Sequence, residues 1–385
     1  MVDHTNTTIE SRKKPHWIPL VFISVYHVGL LVGLPLYLMS TTPSSTLLWL
    51  TGGLWIATLI SITTGYHRLY SHVTYKAANR IPEAFFLFFG TVAGQGSALK
   101  WSHDHRLHHR HVDTDKDPYG TPKGFWHSHM LWLFWTPPVW QDRIVKDLTA
   151  NPWVAFQHKY YGLLFLLSNV VIVAVAGWAT GDFAGALVLL FLLRLFLGHH
   201  CTWFINSIAH IWGSKPYSSE HSAVNNAVIA FLTFGEGYHN YHHTFAGDYR
   251  NGVRWYQFDP SKWLIWSMSK IGLATGLRRI NSLTIKKRLL VADRRLLLEH
   301  LEGIVHIETE HLVDRVEQAS HALTEKIADL KAATDRYKAM KGQAAKKELA
   351  GLKLRIKAYR RSLSRDMMAW KSLCNSVLKL DPAVA

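Results

Sequence analysis

Four apolar stretches, each near the length that crosses a bilayer, constrain this chain more than anything else in it. Residues 17–39 read WIPLVFISVYHVGLLVGLPLYLM and residues 46–64 read TLLWLTGGLWIATLISITT. At 1.5 Å per helical residue, about 20 residues cover the hydrocarbon core. A second pair follows at 160–180 and 183–206, the latter interrupted by Arg194 and closing on His199 and His200. The apolar run at 84–94 is only about half as long, so it belongs inside the protein or in the interface. The expected architecture is all-α and integral to a membrane, with four transmembrane helices in two hairpins.

Charge orients those hairpins. The first turn, STTPSST, is uncharged and the second, TGD, carries only Asp182, whereas Arg12, Lys13 and Lys14 precede the first stretch and many Lys and Arg follow the second and fourth. By the positive-inside rule both termini are cytoplasmic. The net charge of +16, beside 48% hydrophobic residues and 16 Trp, then reads as a membrane-flanking basic face, not a nucleic-acid surface. No cleavable signal peptide is expected, because some 15 polar residues precede a first apolar run long enough to remain in the membrane. Cys201 and Cys374 offer no disulfide framework.

The chemistry lies in the 24 histidines, which are unevenly placed. His67-Arg-Leu-Tyr-Ser-His72 follows the second stretch, His105-Arg-Leu-His108-His109 comes next, and Gly235-Glu-Gly-Tyr-His239-Asn-Tyr-His242-His243 follows the fourth. All three fall on the cytoplasmic side. Two share the spacing i, i+3, i+4, which puts three imidazoles on one helical face, as multidentate metal binding requires. His67 and His72, five apart, would diverge by about 140° on an ideal α-helix. That pair needs a distorted helix end or two different metals. A lone His27 in an apolar span reads as a hydrogen-bonded structural residue. His103, His111, His127 and His129 sit beside the ligand-type spacing and are equally readable as supporting or surface groups.

The boxes HRLYSH, HDHRLHH and GEGYHNYHH closely resemble those of the membrane fatty acid desaturases, specifically the acyl-CoA Δ9 (stearoyl-type) desaturase family and its bacterial relatives. The resemblance extends to Gly65-Tyr-His-Arg-Leu-Tyr-Ser-His72, Asp113-Thr-Asp-Lys-Asp-Pro118 and Thr202-Trp-Phe-Ile-Asn-Ser-Ile-Ala-His210, and covers residues 15 to 270. It implies a cytoplasmic helical cap, residues 65–158 and 207–275, holding a di-iron histidine cage within a desaturase domain at 16–275. It implies a ninth ligand at His210 and a metal-bound water on Asn206, one turn earlier. By the family's division, His67, His72, His105, His109 and His243 would serve one iron, and His108, His210, His239 and His242 the other. Trp203, Asp104 and Lys123 match positions near the acyl thioester. Trp55 and Thr51, 12 and 16 residues before His67, are implied as walls of the acyl tunnel. His103 stands where animal relatives carry arginine, which sets CoA phosphate recognition apart here.

Read without the resemblance, imidazoles suit iron, zinc, copper or nickel alike. No G-x-S-x-G or H-E-x-x-H hydrolytic motif is present. An O2-activating centre is what hydrogen removal from an unactivated alkyl chain demands. The expected cofactors are two Fe ions, and the expected substrates O2 and a long-chain acyl-CoA or acyl-lipid drawn from the membrane. No G-x-G-x-x-G, iron–sulfur cysteine set or C-x-x-C-H is present, so electrons come from a separate donor, which the family resemblance implies is ferredoxin-type or cytochrome b5. The competing readings are a di-iron membrane hydroxylase or ketolase, and a metal-buffering or transporting membrane protein. Transport would need ionisable groups along the spans, and most of the histidines lie beyond them.

The remainder differs in character. After a polar segment at 1–15 and the domain at 16–275, residues 282–380 carry apolar residues at helical spacing: Leu312, Val316, Ala319, Leu323, Ile327 and Leu330, then Leu349, Leu352, Ile356, Tyr359, Leu363, Met367 and Trp370. Two long amphipathic helices are expected, broken near 341–345, as an accessory extension packed on the cap, self-associated or lying on the membrane.

Overall fold

A computed structural model describes residues 14–304, 308–341 and 346–380. The chain divides into two compact units, Met1–Ser214 with His221–Arg279, and Lys215–Glu220 with Ile280–Ala385. The polar segment at 1–13, including Arg12 and Lys13, lies outside the described residues.

In the first unit four helices are long and apolar enough to cross a bilayer: Trp17–Ser40, Ser45–Ser71, Tyr161–Thr180 and Phe183–His210. The first and third turn mostly aliphatic surface outward, Val25, Leu31, Val170 and Val175 among it, a belt that water would not tolerate and lipid covers. The fourth span is the hub, because the other three all pack against it. Asp182 ties the two short turns together: it caps the fourth span through Gly185 N (2.7 Å) and accepts from Tyr37 Oη at 2.6 Å. Arg194, the charge that interrupts the fourth apolar run, is fully buried and donates to Leu190 O, Val92 O and Asn169 Oδ1. Its guanidinium thereby stays inside the protein and out of lipid.

The short apolar run becomes the helix Arg80–Val92, capped by the Asn79 side chain on Ile81 N (3.0 Å). It packs against the cage end of the second span with almost no clearance. A Cβ on Gly65 would lie 2.5 Å from Phe86 Cβ, and one on Gly90 2.3 Å from the Tyr66 ring, so glycine is needed at both.

Among the described residues the second unit holds three helices, Ser282–Glu302, Glu310–Met340 and Lys346–Val377, where the pattern predicts two. The extra break follows Glu302, where Gly303 ends the first helix before the Leu312 pattern starts. Val316, Leu323 and Leu330 recur every seven residues, as do Ile356, Leu363, Trp370 and Val377, and all are buried together with Leu290, Leu297 and Leu301. This is the seam of a coiled-coil-like bundle.

Candidate metal centre and adjoining cavity

From Ser61 to Ser71 the second span changes from α to π-helical bonding. His72 N donates to His67 O at 3.1 Å and Ser71 Oγ to Tyr66 O at 2.8 Å, both i→i+5. Five residues then make about one turn, which brings His67 and His72 onto the same face. Of the two ways to reconcile their spacing, the distorted helix is the one adopted.

The helix Ala98–His111 starts with a Ser97 cap on Lys100 N (3.2 Å) and presents His105, His108 and His109. The short helix His239–Thr244 carries the third box. His210 arrives differently: the α-helix stops at Asn206 and a tightened turn over Ile208–His210 redirects the chain, so Asn206 and His210 do not share one continuous face.

These elements bring nine imidazoles into two groups, His67, His72, His105, His109 and His242, and His108, His210, His239 and His243, with the ligand atoms of each group within 4.8 Å of one another. The membership is that of the nine expected histidines. The expected division is corrected at one point, because His242 and His243 exchange places. His239 and His243, four apart, share a helical face and a group, their Nε2 atoms 3.1 Å apart, while His242 turns the other way to within 3.0 Å of His67 Nε2 and 2.9 Å of His109 Nε2.

The surrounding hydrogen bonds fix which nitrogen faces inward. His67 Nδ1 lies 2.8 Å from Glu236, His108 Nδ1 2.9 Å from Asp117, His105 Nδ1 3.1 Å from Tyr119 Oη and His210 Nδ1 2.6 Å from Ser222 Oγ. With the proton on the outward Nδ1, as the facing carboxylates of Glu236 and Asp117 favour, the inward Nε2 of His67 and His108 is the ligating atom. Yet His72 and His105 bring their Nε2 atoms to 2.8 Å, and His108 and His243 to 3.3 Å. Lone pairs so placed are reconciled by a shared cation, so the donor set fits metal. Burial drives His72, His105, His109, His239, His242 and His243 well below the ordinary imidazole pKa, and neighbouring rings add to it, so all are neutral and ready to ligate. Burial alone would raise Glu236, but His67 and Arg68 outweigh it and hold its carboxyl below the usual range.

A cavity of about 520 Å³ adjoins the first group, with His105 and Asn206 on its wall. It runs between the first, third and fourth spans, bordered by Phe22, Phe165 and Trp203, with Lys100, Asp104 and His158 at its polar side. Lys100 Nζ donates to Asp104 at 2.5 Å. Of the substrate residues expected from sequence, Trp203 and Asp104 border this cavity and Lys123, Trp55 and Thr51 do not. Lys123 Nζ donates to Asp115 O and Asp117 O, steadying the loop that carries Asp117. Trp55 packs against Phe234, ring centroids 5.8 Å apart and tilted by 56°, in an apolar cluster with Leu59, Ile60 and Cys201. Thr51 Oγ1 donates to Leu47 O.

The histidines left ambiguous fall outside both groups. His27 Nδ1 donates to Ile23 O, and its Nε2 meets His200, whose other nitrogen meets His129. His103 stacks on Trp140 and accepts from Gln141 N. Reading the boxes alone missed the supporting acids Glu236 and Asp117, together with Tyr119 and Ser222. Glu236 stands inside the third box and Asp117 inside DTDKDP, so the signal was present without an assigned role.

Four membrane-length helices with two converging imidazole groups beside one end define a multi-pass membrane protein whose histidines could hold metal. The model of the fatty acid desaturase family matches residues 44–271, and the chain belongs to that family. It is 40% identical over 239 residues to acyl-CoA desaturase 1 of Saccharomyces cerevisiae, covering 61% of this chain and 47% of that protein. It is 33% identical over 278 residues to the sn-1 stearoyl-lipid 9-desaturase of Anabaena variabilis, covering 70% and 97%, and 35% identical over 282 residues to stearoyl-CoA desaturase 5 of Bos taurus, covering 71% and 82%. The chain thus spans about half the length of the yeast relative and nearly all of the cyanobacterial one.

Proposed function

We propose that this chain is an O2-dependent acyl desaturase that introduces a cis double bond, Δ9 by its relatives' names, into a long saturated acyl chain. The observation that carries the reading is the contact between cage and cavity: His105 belongs to one imidazole group and also walls an apolar cavity with a polar end. Two irons held by the nine histidines, with Asn206 nearby, would supply the O2-activating redox chemistry that an unactivated methylene requires. The residues do the rest. Glu236 and Asp117 keep the imidazoles of His67 and His108 in one tautomer and orientation. Lys100, Asp104 and His158 offer hydrogen bonds to the polar end of an acyl carrier, while Phe22, Phe165 and Trp203 exclude water from its apolar part.

The names of relatives include both CoA and lipid substrates, and both carriers remain within this proposal. A separate donor supplies electrons, either ferredoxin-type or cytochrome b5. The cage end of the spans lies in the cytoplasm with both termini, in keeping with turns that lack Lys and Arg at the other end. Residues 65–158 and 207–275 then form the cytoplasmic cap, and 282–380 an accessory extension. Expression in a host unable to make unsaturated acids, followed by lipid analysis, tests the reading. A new double bond at one position supports it; a hydroxylated chain would assign the cage to the oxygen-inserting reaction instead.

A further inference from the structure

The third helix of the C-terminal unit, Lys346–Val377, has nine Lys and Arg against two acidic residues. The second, Glu310–Met340, has six acidic residues against five basic ones. The two carboxylates of the third helix face the second: Asp366 pairs with Lys326 and Glu348 with Arg336. Lys347, Lys353, Arg355, Lys357, Arg360, Arg361, Arg365 and Lys371 are all exposed, and none forms an ion pair among the described residues. The core seam of Ile356, Leu363 and Trp370 occupies the opposite face. A helix wheel at 100° per residue therefore gives a broad outer sector with no carboxylate, centred on Lys357, Arg361, Ser364 and Arg365. Within that cationic field stand two apolar side chains, Leu354 at 68% and Met368 at 64% exposure, 14 residues and about 21 Å apart along the helix.

Such surplus charge weakens a folded bundle by self-repulsion and calls for an anionic counterpart. We propose that this face docks on a bilayer surface rich in anionic phospholipid, with the Lys and Arg side chains on lipid phosphates and Leu354 and Met368 set between headgroups. Two features select a lipid surface over an acidic protein. The unit continues directly from a membrane-spanning one, so headgroups are always at high effective concentration. Isolated apolar residues amid lysine and arginine also suit an interface that is charged above and apolar just beneath.

The test uses the full chain in nanodiscs of phosphatidylcholine alone or with about one-third phosphatidylglycerol. A fluorophore is placed on Ser364→Cys in a Cys374→Ser background, and a quencher is carried on lipid headgroups. Strong quenching in the anionic discs only, reversed by high salt, is the expected result. The triple variant K357Q/R361Q/R365Q should reduce the docked-to-free ratio on the order of a hundredfold, at roughly fivefold per cation, while basal turnover and helix content stay unchanged. Equal quenching in both lipids, quenching that persists in the triple variant, or quenching that appears only when an acidic protein is added would each overturn the proposal.

Discussion

Replacing Glu236 by glutamine should separate what holds the fold from what holds the metal. The carboxylate is 1% exposed and serves three groups: His67 Nδ1 at 2.8 Å, Arg68 NH2 at 2.9 Å and Asn251 Nδ2 at 2.6 Å. Glutamine keeps the shape and one acceptor. Its amide nitrogen, if it faces Arg68, offers a donor to a guanidinium that can only donate; if it faces His67 and Asn251, it meets two donors there. Breaking a buried ion pair by removing one partner costs about 3–5 kcal/mol, and Asp259, 2.9 Å from Arg68, keeps the cost near the lower end. Loss of a group that orients a metal-bound imidazole weakens binding roughly 10–100-fold. The expectation for Glu236→Gln is therefore a clear drop in thermal stability together with metal loss at a lower concentration of competing chelator. Both are measurable on purified protein without turnover. Wild-type values for both would refute the claim that this carboxylate anchors the cage.

Purified active protein should contain close to two irons per chain by elemental analysis, and active protein without iron would remove the di-iron reading. Alanine at His108, His239 or His242 should abolish product formation while the chain stays in the membrane fraction; normal turnover would strike that residue from the ligand set. Trp55→Ala should shift preference toward longer acyl chains if the far end of the substrate passes the second span, and an unchanged product profile would leave the ring to its packing on Phe234. In the C-terminal unit, burial raises the pKa of Asp293 although Trp370 Nε1 donates to it at 3.1 Å. A carboxyl raised in the folded state contributes stability that is full below its unfolded pKa of about 3.9 and lost as pH rises through the folded value. Asp293→Asn should accordingly stabilise helices 282–377 at neutral pH, read by hydrogen exchange, with the gain vanishing near pH 3; a loss at neutral pH would reverse the sign of this reasoning.

The spans were legible because length and apolarity are one-dimensional properties, and the boundaries at Trp17 and Phe183 follow directly from them. The nine histidines were legible for a related reason, since i, i+3, i+4 is a statement about one helix face. What escaped depends on three dimensions. His242 and His243 are adjacent, and only the rotation of a six-residue helix decides which ring turns to which group. The π-helical turns at Ser61–Ser71 leave no residue signature beyond an imidazole spacing that an α-helix cannot serve. The cavity follows the far side of the fourth span from Trp55, and which side of a helix is hollow is set by its neighbours, here Phe22 and Phe165. The first C-terminal helix, Ser282–Glu302, is separated from the next only at Gly303, a break that apolar spacing does not register.

The change of winding at Ser61–Ser71 also sets how this protein is able to vary. One end of that segment belongs to a helix whose outward stripe must match a bilayer, and the other end delivers His67 and His72. Inserting or deleting a single residue between them would turn the ligands about 100° relative to the lipid-facing side, and no adjustment of the cap would restore both. The stretch therefore behaves as a fixed gear between membrane and cage, its length held as firmly as its glycine and its ligand.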